Sequence, residues 1–174
     1  MRFGAIGRVV AGGWLTFVLA GCATEMHVRP EVGPMPAGAV SISANVVFDG
    51  NKDYLPRNLQ QDNSNPAGVT VYYRYEVAYG TKDLGAAALY DPFTIFGLPT
   101  GKDILTIYAE LRIQRGSQIL KAYQSACQVV QRSNLWTNRT QTELRRDGLL
   151  AVRDNIESQL AQDREYLASL ALLH

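Results

Sequence analysis

Alternation of apolar and polar residues marks the middle of the chain. In AVSISANVVFD, residues 39–49, Val40, Ile42, Ala44, Val46 and Phe48 share one parity, while Ser41, Ser43 and Asn45 take the other. A period of two with one apolar side predicts a half-buried strand. VTVYYRYEVAYG, residues 69–80, repeats the pattern, with Val69, Val71, Tyr73, Tyr75, Val77 and Tyr79 on the apolar side. DILTIYAELRIQ, residues 103–114, places Leu105, Ile107, Ala109, Leu111 and Ile113 inward and Thr106, Tyr108, Glu110 and Arg112 outward. Arg115-Gly116 follows, then the strand pattern SQILKAYQSACQVVQ, residues 117–131. Gly116 can supply the positive φ of a tight turn, so a hairpin over residues 103–131 is predicted.

The period changes in the last third. Thr140 and Glu143 form a T-x-x-E capping box. Behind it Leu144, Leu149, Val152, Ile156, Leu160, Leu167 and Leu170 recur every three to four residues or so, the stripe of an amphipathic helix. Gly148 weakens the first turns, so the regular helix is expected to begin after it. The stripe has too few and too irregular heptads for a coiled coil and suits packing on a sheet. The pattern predicts an α+β fold: an antiparallel sheet of about four strands with a long C-terminal helix packed on one face.

Two segments lack a period. Residues 49–68 are polar and turn-rich, with a short helical turn expected near Leu55 to Gln61. Residues 84–102, LGAAALYDPFTIFGLPTGK, are apolar at Leu89, Tyr90, Phe93, Ile95, Phe96 and Leu98, yet Pro92, Gly97, Pro99 and Gly101 prevent a long regular element. So hydrophobic a loop either plugs the domain from below or offers an apolar patch to a membrane or partner.

The first 24 residues carry only two charges, Arg2 and Arg8, and thirteen uncharged residues separate Arg8 from Cys22. A basic start, a short apolar run and small residues at its end describe a secretory signal peptide. The run is too short and too glycine-rich for a comfortable membrane span. A cleaved signal without lipid, or an uncleaved anchor, are the plainer alternatives. At the end of the run LAGC, residues 19–22, resembles the lipobox of bacterial lipoproteins, with Leu, two small residues and Cys. The resemblance implies cleavage between Gly21 and Cys22, a diacylglycerol on the Cys22 sulfur and acylation of the new amine. Ala23, in place of Asp, implies sorting to the outer membrane, with the domain facing the periplasm. Several acyl chains hold a protein firmly, where one gives only marginal binding. The T-x-x-G-x-P turn at Thr94, Gly97 and Pro99, with the hairpin and C-terminal helix, also looks like small Gram-negative envelope lipoproteins and accessory lipoproteins of polysaccharide-export and transport systems. The organisation expected is a signal peptide over 1–21, a lipidated start and proline-bearing tether over 22–38, and one periplasmic domain over 39–174.

Charge and chemistry narrow the function. Loss of Arg2 and Arg8 takes 17 Lys+Arg to 15 against 16 Asp+Glu, a net charge of −1 and no basic excess for nucleic acid. Cys127 is then the one thiol besides Cys22, expected as a buried apolar residue, with a reactive or intermolecular role as the alternative. The histidines are His27, in the expected tether, and His174, at the last position, so a nucleophile lacks an oriented base. No metal-ligand spacing or phosphate loop is present. Glu76 and Glu110 lie beside Arg74 and Arg112, which suits cross-strand ion pairs better than acid–base catalysis. No catalytic residue, metal or cofactor is expected beyond the lipid on Cys22. The partners expected are outer-membrane lipid and another envelope protein or a second copy of the chain. Such a scaffold or accessory protein would use the 84–99 loop or an exposed sheet face of Tyr72, Arg74, Tyr108 and Arg112; the alternative is a small-ligand or lipid-binding module with the loop as lid.

Overall fold

The computed structural model describes residues 24–33, 41–64, 68–82, 101–133 and 139–170. Cys22, the lipobox and the whole of the 84–99 loop, including Leu89, Tyr90, Phe93, Ile95, Phe96 and Leu98, lie outside the described residues. Among the described residues six strands form one half-barrel sheet: β1 (Thr24–Arg29), β2 (Ile42–Val47), β3 (Leu59–Gln61), β4 (Val69–Lys82), β5 (Gly101–Arg115) and β6 (Gln118–Ser133). Their spatial order is β1-β6-β5-β4-β2-β3. Two helices follow, α1 (Gln141–Gln162) and the short α2 (Arg164–Ser169).

The sheet corrects the expected fold class. It is mixed and six-stranded, not antiparallel with about four strands: β2 runs parallel to both β4 and β3, while β4, β5, β6 and β1 pair antiparallel. Parallel neighbours need a crossover that carries the chain back along the sheet. The turn-rich residues 48–58 supply it between β2 and β3. They hold a single 3-10 turn at Lys52–Tyr54, and residues 59–61, expected in a helical turn, form β3 instead. Asn51 caps the 3-10 turn by accepting from the Asp53 amide. The second correction concerns the tether. Thr24–Arg29 is an edge strand, in register with β6 from Thr24↔Gln131 to Arg29↔Ala126.

The hairpin is as expected. β5 and β6 are joined by Gly116 and Ser117, with Gly116 at φ 59°. Parity reverses beside this turn. An irregularity at Ile113/Gln114 pairs Ile113 with Lys121 but Gln114 with Ile119, which turns Ile119 outward to 53 % exposure. Ile119 therefore does not line up with Cys127; Tyr123, Cys127 and Val129 do face inward and are buried.

The core lies between the sheet and α1. Ile107, Leu111 and Ile113 of β5, with Val71 of β4, are fully buried against Leu149, Val152, Ile156 and Leu160 of α1. Burying each such side chain contributes about 1.5–3 kcal/mol. The capping box starts α1: the Glu143 amide donates to Thr140 Oγ1 at 3.2 Å and the Thr140 amide to Glu143 Oε2 at 2.9 Å. The helix thus runs through Gly148 rather than starting after it. A Cβ there would lie 2.6 Å from Ile107 Cδ1, so the glycine lets the helix backbone sit close on the sheet.

The crossover is pinned to α1 by ions. Glu157, 4 % exposed, accepts from the Arg57 amide and from Arg57 Nε and Nη2 at 3.1 and 3.0 Å. Arg153 donates to the Asp53 carbonyl at 2.7 Å. At the C-cap of α1, Asp163 takes Lys121 Nζ at 2.9 Å and the Tyr123 hydroxyl at 3.0 Å. Helix and crossover both lie on one side of the sheet. Among the described residues, the opposite side carries no helix.

Candidate interaction face

On that helix-free side the even-numbered residues of β4, β5 and β6 form cross-strand rows. Tyr72 stands opposite Arg112, which stands opposite Ala122; Arg74 opposite Glu110, then Gln124; Glu76 opposite Tyr108, then Ala126 and, across β6, Arg29 of β1. Val47 of β2 extends the Tyr72 row. The sequence-derived residues Tyr72, Arg74, Tyr108 and Arg112 are thereby brought onto one contiguous surface.

Glu110 organises it. Its Oε2 takes Arg74 Nη2 and Arg112 Nη2, each at 2.8 Å, and Arg74 Nε at 3.0 Å. Gln124 Nε2 reaches Oε1 at 3.4 Å. The hydrogen bond from Arg112, with those from Gln124 and Arg74, holds the Glu110 carboxyl below its ordinary pKa against the opposing effect of burial. Glu110 is therefore an ionised carboxylate whose single oxygen Oε2 draws two guanidiniums together. Glu76, its expected acidic neighbour, faces Tyr108 and takes no part.

The aromatic rings flank the ion network and stay open to solvent: Tyr72 is 42 % and Tyr108 54 % exposed. Two hollows share the network as their common wall. One, of about 630 Å³, runs from Arg74, Glu110 and Arg112 past Tyr108 to Arg29 and Pro30 at the β1 edge. The other, of about 420 Å³, runs from the same three residues past Tyr72 to Val47. Together they give a surface with fixed charges, aromatic sides and polar hydrogen-bonding forks, the composition of interfaces that bind other macromolecules.

Parity identified the tyrosines and arginines. It missed Val47 and Arg29, because each comes from an edge-side strand whose neighbour is set by topology rather than by pattern. Gln124 was missed because a glutamine among polar residues gives no signal until its register is known.

Elsewhere the chemistry is quiet. Cys127 is fully buried and burial pushes its thiol up to about 11, so it is inert at neutral pH. Among the described residues no three His, Cys, Asp or Glu side chains converge as metal ligands, and no helix is long and apolar enough to cross a membrane.

No protein-family model matches the chain, and no curated protein matches it. Among solved structures, the chain is similar to the SecB-like chaperone of Mycobacterium tuberculosis solved in complex with a ChAD peptide from the HigA1 antitoxin. The two share 15 % identity and a TM-score of 0.38 over 88 % of each chain, a likeness that says nothing of this chain's function.

Proposed function

We propose that this chain is a non-enzymatic binding module, a lipid-anchored scaffold or accessory protein of the Gram-negative envelope that engages another envelope protein through its helix-free sheet face. One observation carries the reading: Tyr72 and Tyr108 stand exposed on either side of an ion network that Glu110 ties together. A rigid display of aromatic and Arg side chains loses little conformational entropy when a partner covers it. Both hollows are open, which suits a macromolecular partner better than an enclosed small ligand.

Catalysis is a poor fit to the same groups. Glu110 is kept ionised by its cations and cannot serve as an acid near neutral pH, and Cys127 has neither access nor a thiolate. Support for the anchor is the LAGC motif at the end of the apolar run. Because β1 begins at Thr24, a lipid on Cys22 would lie within about 7 Å of the sheet at ~3.5 Å per residue. The domain would then sit on the bilayer surface, without the reach a tether would give.

Two measurements test the proposal. Cys22→Ser should release the domain from outer-membrane fractions at high salt, and retention would refute the lipid anchor. A photo-crosslinking residue at position 108 should capture a discrete envelope protein that a probe at exposed Gln162 of α1 does not. Equal capture by both would refute the sheet face as the site.

A further inference from the structure

The two edges of the sheet differ in how they are closed. β3 is three residues long, and the Gln61 side chain at its end folds back to accept from the Val46 amide at 2.8 Å. Such an edge offers little to a further strand. β1 is six residues long, from Thr24 to Arg29, and among the described residues it has a neighbour on one side only. Its chain then leaves the edge toward the helix, where Asn155 Nδ2 donates to the Pro30 carbonyl at 2.8 Å. A free row of backbone donors and acceptors is a template for another strand.

The side chains of β1 say which strand fits. On the helix-free side β1 presents Glu25, His27 and Arg29; on the other it presents Thr24, Met26 and Val28. The sequence TEMHVR is self-complementary about His27. When two copies pair antiparallel with their His27 residues opposite, Glu25 of each faces Arg29 of the other on one side. Met26 of each then faces Val28 of the other on the opposite side. Opposite charges directly across a strand pair stabilise it, and like charges oppose it. Both charged groups have capacity for this. Among the described residues Glu25 makes only long contacts, 3.7 Å to Arg132 and 3.9 Å to His27. Arg29 makes no ion pair among the described residues. Met26 is exposed although it lies on the apolar parity of its strand.

We infer that β1 is a homodimerisation edge, at which a second copy of this chain adds its own β1 antiparallel in the His27-to-His27 register and makes one continuous twelve-stranded sheet. The strand pair is a small interface, so the dimer is weak in solution and favoured where copies are concentrated on one surface. The larger hollow ends at Arg29 and Pro30. Pairing would extend its wall with Glu25 of the second copy and set two interaction faces side by side on the same side of the joint sheet. This inference rests on the edge and not on the identity of any other partner.

Cysteine scanning in the full-length chain tests it in the native membrane. In an antiparallel pair, directly opposed residues lie ~4.5–5.5 Å apart between Cα atoms, within disulfide reach. His27→Cys should give an oxidised dimer on a non-reducing gel. Glu25→Cys alone and Arg29→Cys alone should not, whereas the two co-expressed should give a mixed dimer. Absence of the His27→Cys dimer, or equal cross-linking at all three positions, would overturn the inference. Charge reversal is the second test, read by sedimentation of the full chain in detergent. Glu25→Arg and Arg29→Glu should each weaken self-association by about tenfold or more, because each makes two like-charge pairs per dimer. Mixing the two variants should restore association as a heterodimer. Single variants that dimerise like the wild type would show that another surface is used.

Discussion

Glu110→Gln isolates the ion network from the rest of the fold, because it keeps the side-chain shape and an acceptor oxygen while removing the charge. In the native protein the carboxylate takes Arg74 and Arg112 at 2.8 Å and Gln124 at 3.4 Å. Charge-assisted hydrogen bonds contribute ~1.5–3 kcal/mol each where shielded, and exposed ion pairs ~0.2–1 kcal/mol. Here the Glu110 side chain is only 14 % exposed, but Arg74 is 64 % and Arg112 37 % exposed. Both guanidiniums rehydrate when released. The discounted loss is about 1–2 kcal/mol, or roughly 3–6 °C in thermal midpoint at ~3 °C per kcal/mol.

The pH dependence supplies the decisive measurement. A carboxyl whose folded pKa is depressed adds stability that is present above its unfolded value, ~4.3 for Glu, and lost as pH falls through the folded value. Midpoints of wild type and Glu110→Gln, taken by calorimetry from neutral pH downward, should be separated at pH ~7 and should converge below about pH 4. Partner cross-linking from position 108 should fall in the variant at neutral pH, since the two arginines are no longer fixed. A gap that persists unchanged in acid would refute the charge argument. A drop of more than ~10 °C would show that Glu110 supports the core and not a surface network.

Three further outcomes are expected. Glu157→Ala should cost more than Glu110→Gln, about 2–4 kcal/mol, because Glu157 is buried and its loss strands the Arg57 amide; thermal melts and proteolysis of the 48–58 crossover check this. Gly148→Ala should lower stability by about 1 kcal/mol despite a gain of ~1 kcal/mol in helix propensity, since the new methyl meets Ile107 at 2.6 Å in a packed core; a raised midpoint would mean the core yields there. Cys127 should react slowly with a thiol reagent in the native state and rapidly in urea; fast native labelling would refute its burial.

Wherever one side of a strand is buried, its pattern carried the structure. β5 alternates throughout and β2, β4 and β6 over most of their length, and the hairpin and capping box depend on residues within a few positions of each other. Neighbourhood and direction are another matter. Parity is the same whether β2 enters parallel or antiparallel, so the mixed topology is decided by the length and pinning of the 48–58 crossover. That pinning depends on Arg57 meeting Glu157, a hundred residues away. β3 is too short to show a period at all. Ile119 kept the parity of Cys127, but the irregularity beside the turn inserted one residue and reversed it.

The same reasoning explains what was legible at the candidate face and at the edge. Tyr72, Arg74, Tyr108 and Arg112 are outward by parity alone, so they could be named before any register was known. That Glu110, rather than Glu76, binds both arginines follows only from the Arg74↔Glu110 register. β1 is the instructive case, for TEMHVR does alternate: Met26 and Val28 on one parity, Glu25, His27 and Arg29 on the other. Three nearby prolines and a charged composition concealed it, since an edge strand buries too little to demand a strong apolar side. A segment that looks like a tether can thus be a strand when a partner edge is waiting, and β6 supplies one edge of that pair. The charges on β1 then have a second consequence. Glu25 and Arg29 prevent indiscriminate pairing, because most sequences would place a like charge or an apolar group opposite them. Their spacing about His27 makes the strand's own copy the exception.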